Sequence, residues 1–592
     1  MSNKPRRVFL YSDSYLAPGV SLNVIQTIAA ILLASAPSQA PEAIFHHAVV
    51  FTADPNHPSA EAFAVKEGRV IAVGGSADLL KTAGPDTRIV DLGGAFVSPG
   101  FGDSHLHFMS GSLTLNAVTL DGLTSLKPIQ ARIAAYAKAN PTAPWITGRG
   151  WNYGAFPGNL PHKKWLDEIV ADRPAFMQGY DGHTGWANTK ALELAGITRG
   201  TKDPQNGVIV RDEAGEPTGA LKEAAQSAVR RLVPKPTDDD KYRALKAGLD
   251  LAASFGLTFA HNASFDLADL PVYERVIKEG GLKVRFYNAL PFRVDPEAAT
   301  LAQYKDLRAR YPGPLFRFGA IKALDDGVVE SKTAWMLEPY EGGGGVGIPN
   351  YTASELARGV ATFDREGFQI FIHAIGDRAI RTTLDAFENA ALVNGTSGRR
   401  HRVEHIEVPQ LAEIARFKPL GVIASTQALF ANPDENALGA YAGALGTERA
   451  ARAMAFRAID DSGAVQAFGS DWPVFSMEVL KGIYCAVTRE TPEGTPKGGS
   501  QPQSRISAEA ALRHFTADGA YAGFNENDFG RIAPGLLADF VVLSRDITKG
   551  APRDILNTRV LLTVMGGRET YRARGFTAGV APPPQPYATR PR

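Results

Sequence analysis

His105 and His107 stand two residues apart in the run Pro99-Gly100-Phe101-Gly102-Asp103-Ser104-His105-Leu106-His107. In a strand, a period of two puts both imidazoles on one face, where they can grip one metal ion. Two histidines on a strand often only pack, so the pair is weak by itself. Ligand-type residues recur, however, at the ends of later apolar runs: His373 after Phe371-Ile372, His405 after Arg402-Val403-Glu404, Asp471 after Phe468-Gly469-Ser470. Five such residues from four strand ends, meeting at one rim, point to a metal centre. Nitrogen and oxygen donors suit Zn2+ first, with manganese or iron as alternatives, and one or two ions fit. Lys322 ends Gly319-Ala320-Ile321-Lys322. It reads either as a salt-bridging core lysine or, carbamylated by CO2, as a carboxylate-like bridge between two metals.

A metal lowers the pKa of water and polarises a carbonyl. Asp471 can then take the water's proton and pass it to a leaving nitrogen. The chemistry expected is hydrolysis of an amide-type C–N bond in a small organic molecule. Ester or lactone hydrolysis on the same framework, and a catalytically silent barrel, are the alternatives. Cys485, the one cysteine, sits among Ile483, Ala486 and Val487 and reads as a buried structural thiol.

The elements that must position these residues alternate apolar runs with amphipathic helical stretches, the pattern of a parallel sheet. Strands are expected at 96–103, 257–262, 283–290, 317–324, 369–373, 402–406, 422–427 and 465–471. Helices are expected at 353–366 and 377–391. Eight units make an α/β (β/α)8 TIM barrel spanning 96–480, with final helices over 481–530. Residues 108–256 are too long for a loop and read as an inserted subdomain, including a helix near 240–253. Short β runs in 41–95 and 531–580 can pair into one composite β-sandwich.

The chain has 592 residues, Lys+Arg 63 against Asp+Glu 62, and a hydrophobic share of 44%. That composition supports a sizeable core, and the balanced charge argues against a nucleic-acid partner. A single cysteine excludes an intrachain disulfide framework. Residues 1–40 carry Arg6-Arg7, an apolar stretch from Val24 to Ala36, and Ser38-Gln39-Ala40. This reads as a twin-arginine-type signal cleaved near Ala40, which would send the protein to the periplasm or outside. A cytoplasmic protein with an ordinary tail is the alternative. The expected partners are a small-molecule substrate, no membrane in the mature form, and a second copy in a homodimer. The tail 581–592 is Pro-rich.

Several of these stretches resemble a known family. Phe96-Val97-Ser98-Pro99-Gly100-Phe101 running into the two histidines is similar to the amidohydrolase superfamily. Asp326-Gly327-Val328-Val329-Glu330-Ser331-Lys332-Thr333-Ala334, His373-Ala374-Ile375-Gly376-Asp377, Arg402-Val403-Glu404-His405 and Gly469-Ser470-Asp471-Trp472-Pro473-Val474 resemble its YtcJ-like branch, amidohydrolase family 3. The similarity runs through about 44–570. It implies a metal-dependent barrel, ligand roles for His105, His107, His373, His405 and Asp471, the bridging position for Lys322, and deformylase-like activity on N-substituted formamides. It also resembles the family at Trp151, Tyr153 and His183, which with Gln427 and Trp472 are the candidate substrate contacts. Glu223, Arg402 and His261 read as structural. The aromatic-rich insertion, with Trp145, Trp151, Tyr153, Tyr180 and Trp186, leads to the expectation of an apolar or aromatic group near the scissile bond.

Overall fold

A computed structural model describes residues 40–115 and 117–578; the expected signal, 1–40, lies outside the described residues but for Ala40, and so does the Pro-rich tail, within 579–592. Eight parallel strands form one sheet: Phe101–Leu106, Leu257–Asn262, Arg285–Pro291, Phe316–Leu324, Gln369–Ala374, Arg402–His405, Ile423–Gln427 and Gln466–Gly469. Their side chains are buried almost throughout, as parallel strands require when helices cover one face and a barrel interior the other. The eighth strand returns to the first: Asp471 N–H donates to His105 O at 2.7 Å, and His107 N–H donates to Trp472 O at 2.7 Å. Gly469 is required at this seam. A Cβ there would lie 2.5 Å from the His105 nitrogen, backbone that cannot step aside.

The expected first strand, 96–103, is two strands. Phe96–Pro99 pairs antiparallel with Phe540–Leu543 in a second sheet, and the chain enters the barrel only after Gly100, whose N–H donates to Asp539 O. That six-stranded sheet faces a four-stranded one built from Ala43–His46, Ala62–Lys66, Arg69–Gly74 and Arg88–Asp91. Phe45 stacks on Phe63 with centroids 5.0 Å apart, and Phe540 meets each ring edge-on at 4.9 Å. Both chain ends thus share one apolar core. Arg285 of the third barrel strand holds Asp539 at 2.6 and 2.9 Å, tying sandwich to barrel.

A fourth sheet, of six strands running from Val118–Thr119 to Pro217–Glu223, comes in the chain between the first two barrel strands. The expected insertion, 108–256, included a helix that belongs elsewhere. Asp238–Ser254 starts at a capping box made by Thr237 and Asp240, and packs Leu245, Leu249 and Ala252 into the barrel core. Its apolar face matches the outside of the barrel, so the barrel resumes at this helix. Among the described residues no helix is long and apolar enough to cross a membrane.

Candidate metal centre and the cavity above it

The C-terminal ends of the strands bring His105, His405 and Asp471 together, with ligand atoms all within 4.8 Å of one another. Partners on the far side fix how each imidazole is presented. His105 Nδ1 donates to Glu404 Oε2 at 2.5 Å, which leaves Nε2 facing Asp471 Oδ1 at 3.4 Å and Lys322 Nζ at 3.2 Å. His405 Nδ1 donates to Gln427 Oε1 at 2.9 Å, leaving its Nε2 buried without a hydrogen-bond partner. Asp471 Oδ1 is 3.1 Å from His107 Nε2, yet it is aligned for a hydrogen bond with neither histidine. Buried, unsatisfied acceptors that converge on one point are what a cation would satisfy, and the donor set fits a divalent metal.

His107 and His373 flank this trio. His107 Nδ1 meets Ser264 Oγ at 2.6 Å, and the His373 ring lies 4.4 Å from that of His405. His373 Nε2 donates to Gly327 O at 3.1 Å. His405 and Asp471 hold positive φ angles, 77° and 57°, where ordinary side chains are rare. Such conformations cluster at functional sites because the surrounding structure must impose them.

Burial drives the His373 and His405 pKa values well below the usual imidazole range. For His105, burial and the neighbouring Lys322 ammonium outweigh the pull of Glu404 and bring the value to about 4. The rings are therefore neutral, with lone pairs free for a metal. Burial opposes ionisation of Asp471, but the close approach of His107, His105 and Lys322 holds it at about 2. Burial lowers Lys322 to about 8.

Beneath the trio, Arg402 binds Glu404 at 2.8 and 3.0 Å, Ser425 Oγ at 2.8 Å, and His261 Nδ1 at 2.8 Å. Arg402 and His261 thus act under the centre, as parts of its support. Glu404 had no role assigned to it from the sequence; the signal that could have found it is an acidic residue two positions from an arginine in an otherwise apolar run. Such pairs are rarely buried without a partner to serve.

A cavity of about 1,080 Å³ opens above, lined by His373, His405, Asp471 and Trp472 from the barrel and by Arg149, Tyr180 and His183 from the insertion. His183 Nδ1 donates to Glu223 Oε2 at 2.8 Å, and its ring lies 5.3 Å from that of His373. Burial would lower its pKa, but Glu223 and Asp181 raise it to about 10, so it stands at the cavity wall as a cation. Glu223, expected to be structural, is the group that keeps His183 charged.

Three expected substrate contacts do not reach the cavity. Trp151 is fully buried and donates to Met177 O at 3.0 Å; Tyr153 donates to Asp181 Oδ2 at 2.8 Å beneath the surface. Gln427 is buried and orients His405. Trp186 is also buried in the insertion's own core, because a sheet must cover its apolar face before it can serve a neighbour. Trp145 is half-buried against a second core cluster of the insertion. The apolar cavity wall comes instead from barrel loops, through Phe430, Phe475 and Trp472.

Comparison with known proteins follows this geometry. The amidohydrolase family model matches residues 88–571. The protein LONG AFTER FAR-RED 3 of Arabidopsis thaliana is 32% identical, over 88% of this chain and 90% of its own. An N-substituted formamide deformylase of Arthrobacter pascens is 27% identical, over 89% of this chain and 98% of its own. An uncharacterized metal-dependent hydrolase from Pyrococcus horikoshii shares the fold with a TM-score of 0.67 at 24% identity, covering 86% of this chain and 99% of that one.

Proposed function

Because this chain belongs to the amidohydrolase family, we propose that it hydrolyses an amide-type C–N bond, of the N-substituted formamide kind, in a small organic molecule. The observation that carries the reading is the convergence of the unsatisfied His405 Nε2 and Asp471 Oδ1 beside His105, at the floor of the cavity. His105, His107, His373, His405 and Asp471 would hold a divalent metal, zinc before others, with Lys322 as neighbour or, carbamylated, as bridge. Such an ion supplies Lewis acidity and makes water a nucleophile near neutral pH. The ionised Asp471 accepts a proton from the attacking water and delivers it to the nitrogen as the C–N bond breaks. The charged His183 donates a hydrogen bond to the carbonyl oxygen as negative charge gathers there. Export on the Arg6-Arg7 signal is part of the same reading.

The test is turnover of N-benzylformamide and N-alkyl formamides by metal-loaded protein. Asp471→Asn is expected to lower kcat about 100- to 10,000-fold with metal content within twofold of wild type. Wild-type rates in that variant would remove Asp471 as the base. Hydrolysis of lactones or esters with no formamide turnover would overturn the C–N assignment.

A further inference from the structure

One side of the cavity takes no part in the metal cluster and is built almost wholly of acceptors. Glu330 follows the fourth barrel strand, Glu407 the sixth, and Asn436 and Tyr441 come from the segment after the seventh; all line the cavity with Tyr180 and Asp181. Two of the donors here are committed: Tyr180 donates to Glu330 Oε1, and Asn436 Nδ2 donates to the same oxygen at 3.1 Å. What remains is the Tyr441 hydroxyl, buried without a partner, and otherwise acceptor capacity. Asn436 Oδ1 is buried and has no partner, in a residue only 7% exposed, and Glu407 is 4% exposed, with no ion pair to a basic side chain among the described residues. Among the described residues no lysine lines the cavity; its one arginine, Arg149, gives its guanidinium to the carbonyls of Pro473 and Tyr180, and the charged His183 is held by Glu223 at 2.8 Å.

A wall of buried acceptors facing solvent-accessible space needs a ligand that brings both positive charge and several N–H donors. These oxygens do not form a second close ligand group of the kind found at His105, His405 and Asp471, which favours an extended organic cation over a bare metal ion. We infer that Glu330, Glu407 and Asn436 form a subsite for a protonated amine, so that the preferred substrate is an amide bearing an ammonium group remote from its scissile bond. The inference rests on the hydrolase reading for the word substrate, but the subsite can be tested without turnover.

Titration calorimetry of the metal-loaded full chain with hexylamine, hexan-1-ol and hexanoate separates charge from chain length. Hexylamine is expected to bind at least tenfold more tightly than hexan-1-ol, with hexanoate weakest. Glu330→Gln and Glu407→Gln, both near-isosteric, are each expected to lower hexylamine affinity about tenfold and to leave hexan-1-ol within about twofold. Equal affinity for amine and alcohol in the wild-type protein, including no measurable binding of either, overturns the subsite. So does an amine preference that survives both substitutions together. Amine binding without any formamide turnover would sink the hydrolytic reading and leave the subsite standing.

Discussion

Two histidine–glutamate pairs border the same site, one at the barrel floor and one on the inserted sheet, and behave in opposite ways. At the barrel floor, His105 Nδ1 meets Glu404 at 2.5 Å; on the inserted lip, His183 Nδ1 meets Glu223 at 2.8 Å. Both rings are buried, yet burial and Lys322 hold His105 down at about 4, while Glu223 and Asp181 lift His183 to about 10. The pair itself does not decide the charge. Glu404 already has its counter-charge in Arg402, and Lys322 adds a second cation beside the ring. Glu223 accepts from a threonine hydroxyl, Thr333 Oγ1 at 2.7 Å, with Lys222 nearby but no arginine paired to it among the described residues, and Asp181 adds a second negative group beside the ring. One neighbourhood yields a lone pair for a metal, the other a charged donor for a substrate.

The floor pair is the one whose loss should do most damage. Glu404→Gln would leave the buried Arg402 without its carboxylate and His105 without its orienting acceptor. Unfolding free energy is expected to fall by about 3–5 kcal/mol, and metal affinity by about 10- to 100-fold. Thermal unfolding and competitive chelation measure the two separately. A variant with wild-type melting and metal content would show that Glu404 neither balances Arg402 nor orients His105, and the contrast between the pairs would need another cause.

On the lip the same substitution should change charge before it changes stability. In Glu223→Gln the His183 pKa is expected to drop from about 10 toward the ordinary imidazole range, read directly by NMR titration of the ring. The sign follows from the raised value. Stability from the charged ring is complete below the unfolded pKa near 6.5 and is lost as pH rises through about 10; in the variant that loss moves toward neutrality. If His183 acts as a cation, kcat/KM of Glu223→Gln should fall about tenfold between pH 6 and pH 8.5, where wild type stays level. A flat profile in both would reduce His183 to a packing residue.

How these residues could be read from sequence differs for physical reasons. His105, His107, His373, His405 and Asp471 could be singled out because strand ends are marked by apolar runs and ligand-type side chains rarely stand there together; of the five, His105, His405 and Asp471 are the ones whose ligand atoms lie within 4.8 Å of one another. The barrel strands were legible for the same reason, down to Leu257–Asn262. Trp151 and Tyr153 misled because composition reports that aromatics are present and not which core claims them; a sheet inserted as a unit needs its own. The helix Asp238–Ser254 was legible as a helix but not as a barrel element, since amphipathic spacing shows that a face is buried and not against what. Glu404 and Glu223 were hidden because their roles depend on contacts 299 and 40 residues away along the chain.

A third buried histidine, far from the cavity, isolates the rule from catalysis and carries the smallest effect. His514 Nδ1 lies 2.8 Å from Asp518 and its Nε2 3.0 Å from Asp460. Burial alone would lower its pKa; the two carboxylates raise it to about 9. Arg513 also reaches Asp518, at 3.0 Å, but from a side chain 55% exposed, where water screens its charge. By the logic of the lip, His514 should be charged at neutral pH and should stabilise the fold. That contribution is complete below about pH 6.5 and lost as pH rises through about 9. His514→Gln is expected to cost about 1–2 kcal/mol at pH 6 and much less at pH 9.5, the figure held down because both aspartates keep some solvent contact. Equal destabilisation at the two pH values would mean that His514 contributes by packing alone, and that flanking carboxylates do not suffice to keep a buried imidazole charged when an arginine stands nearby.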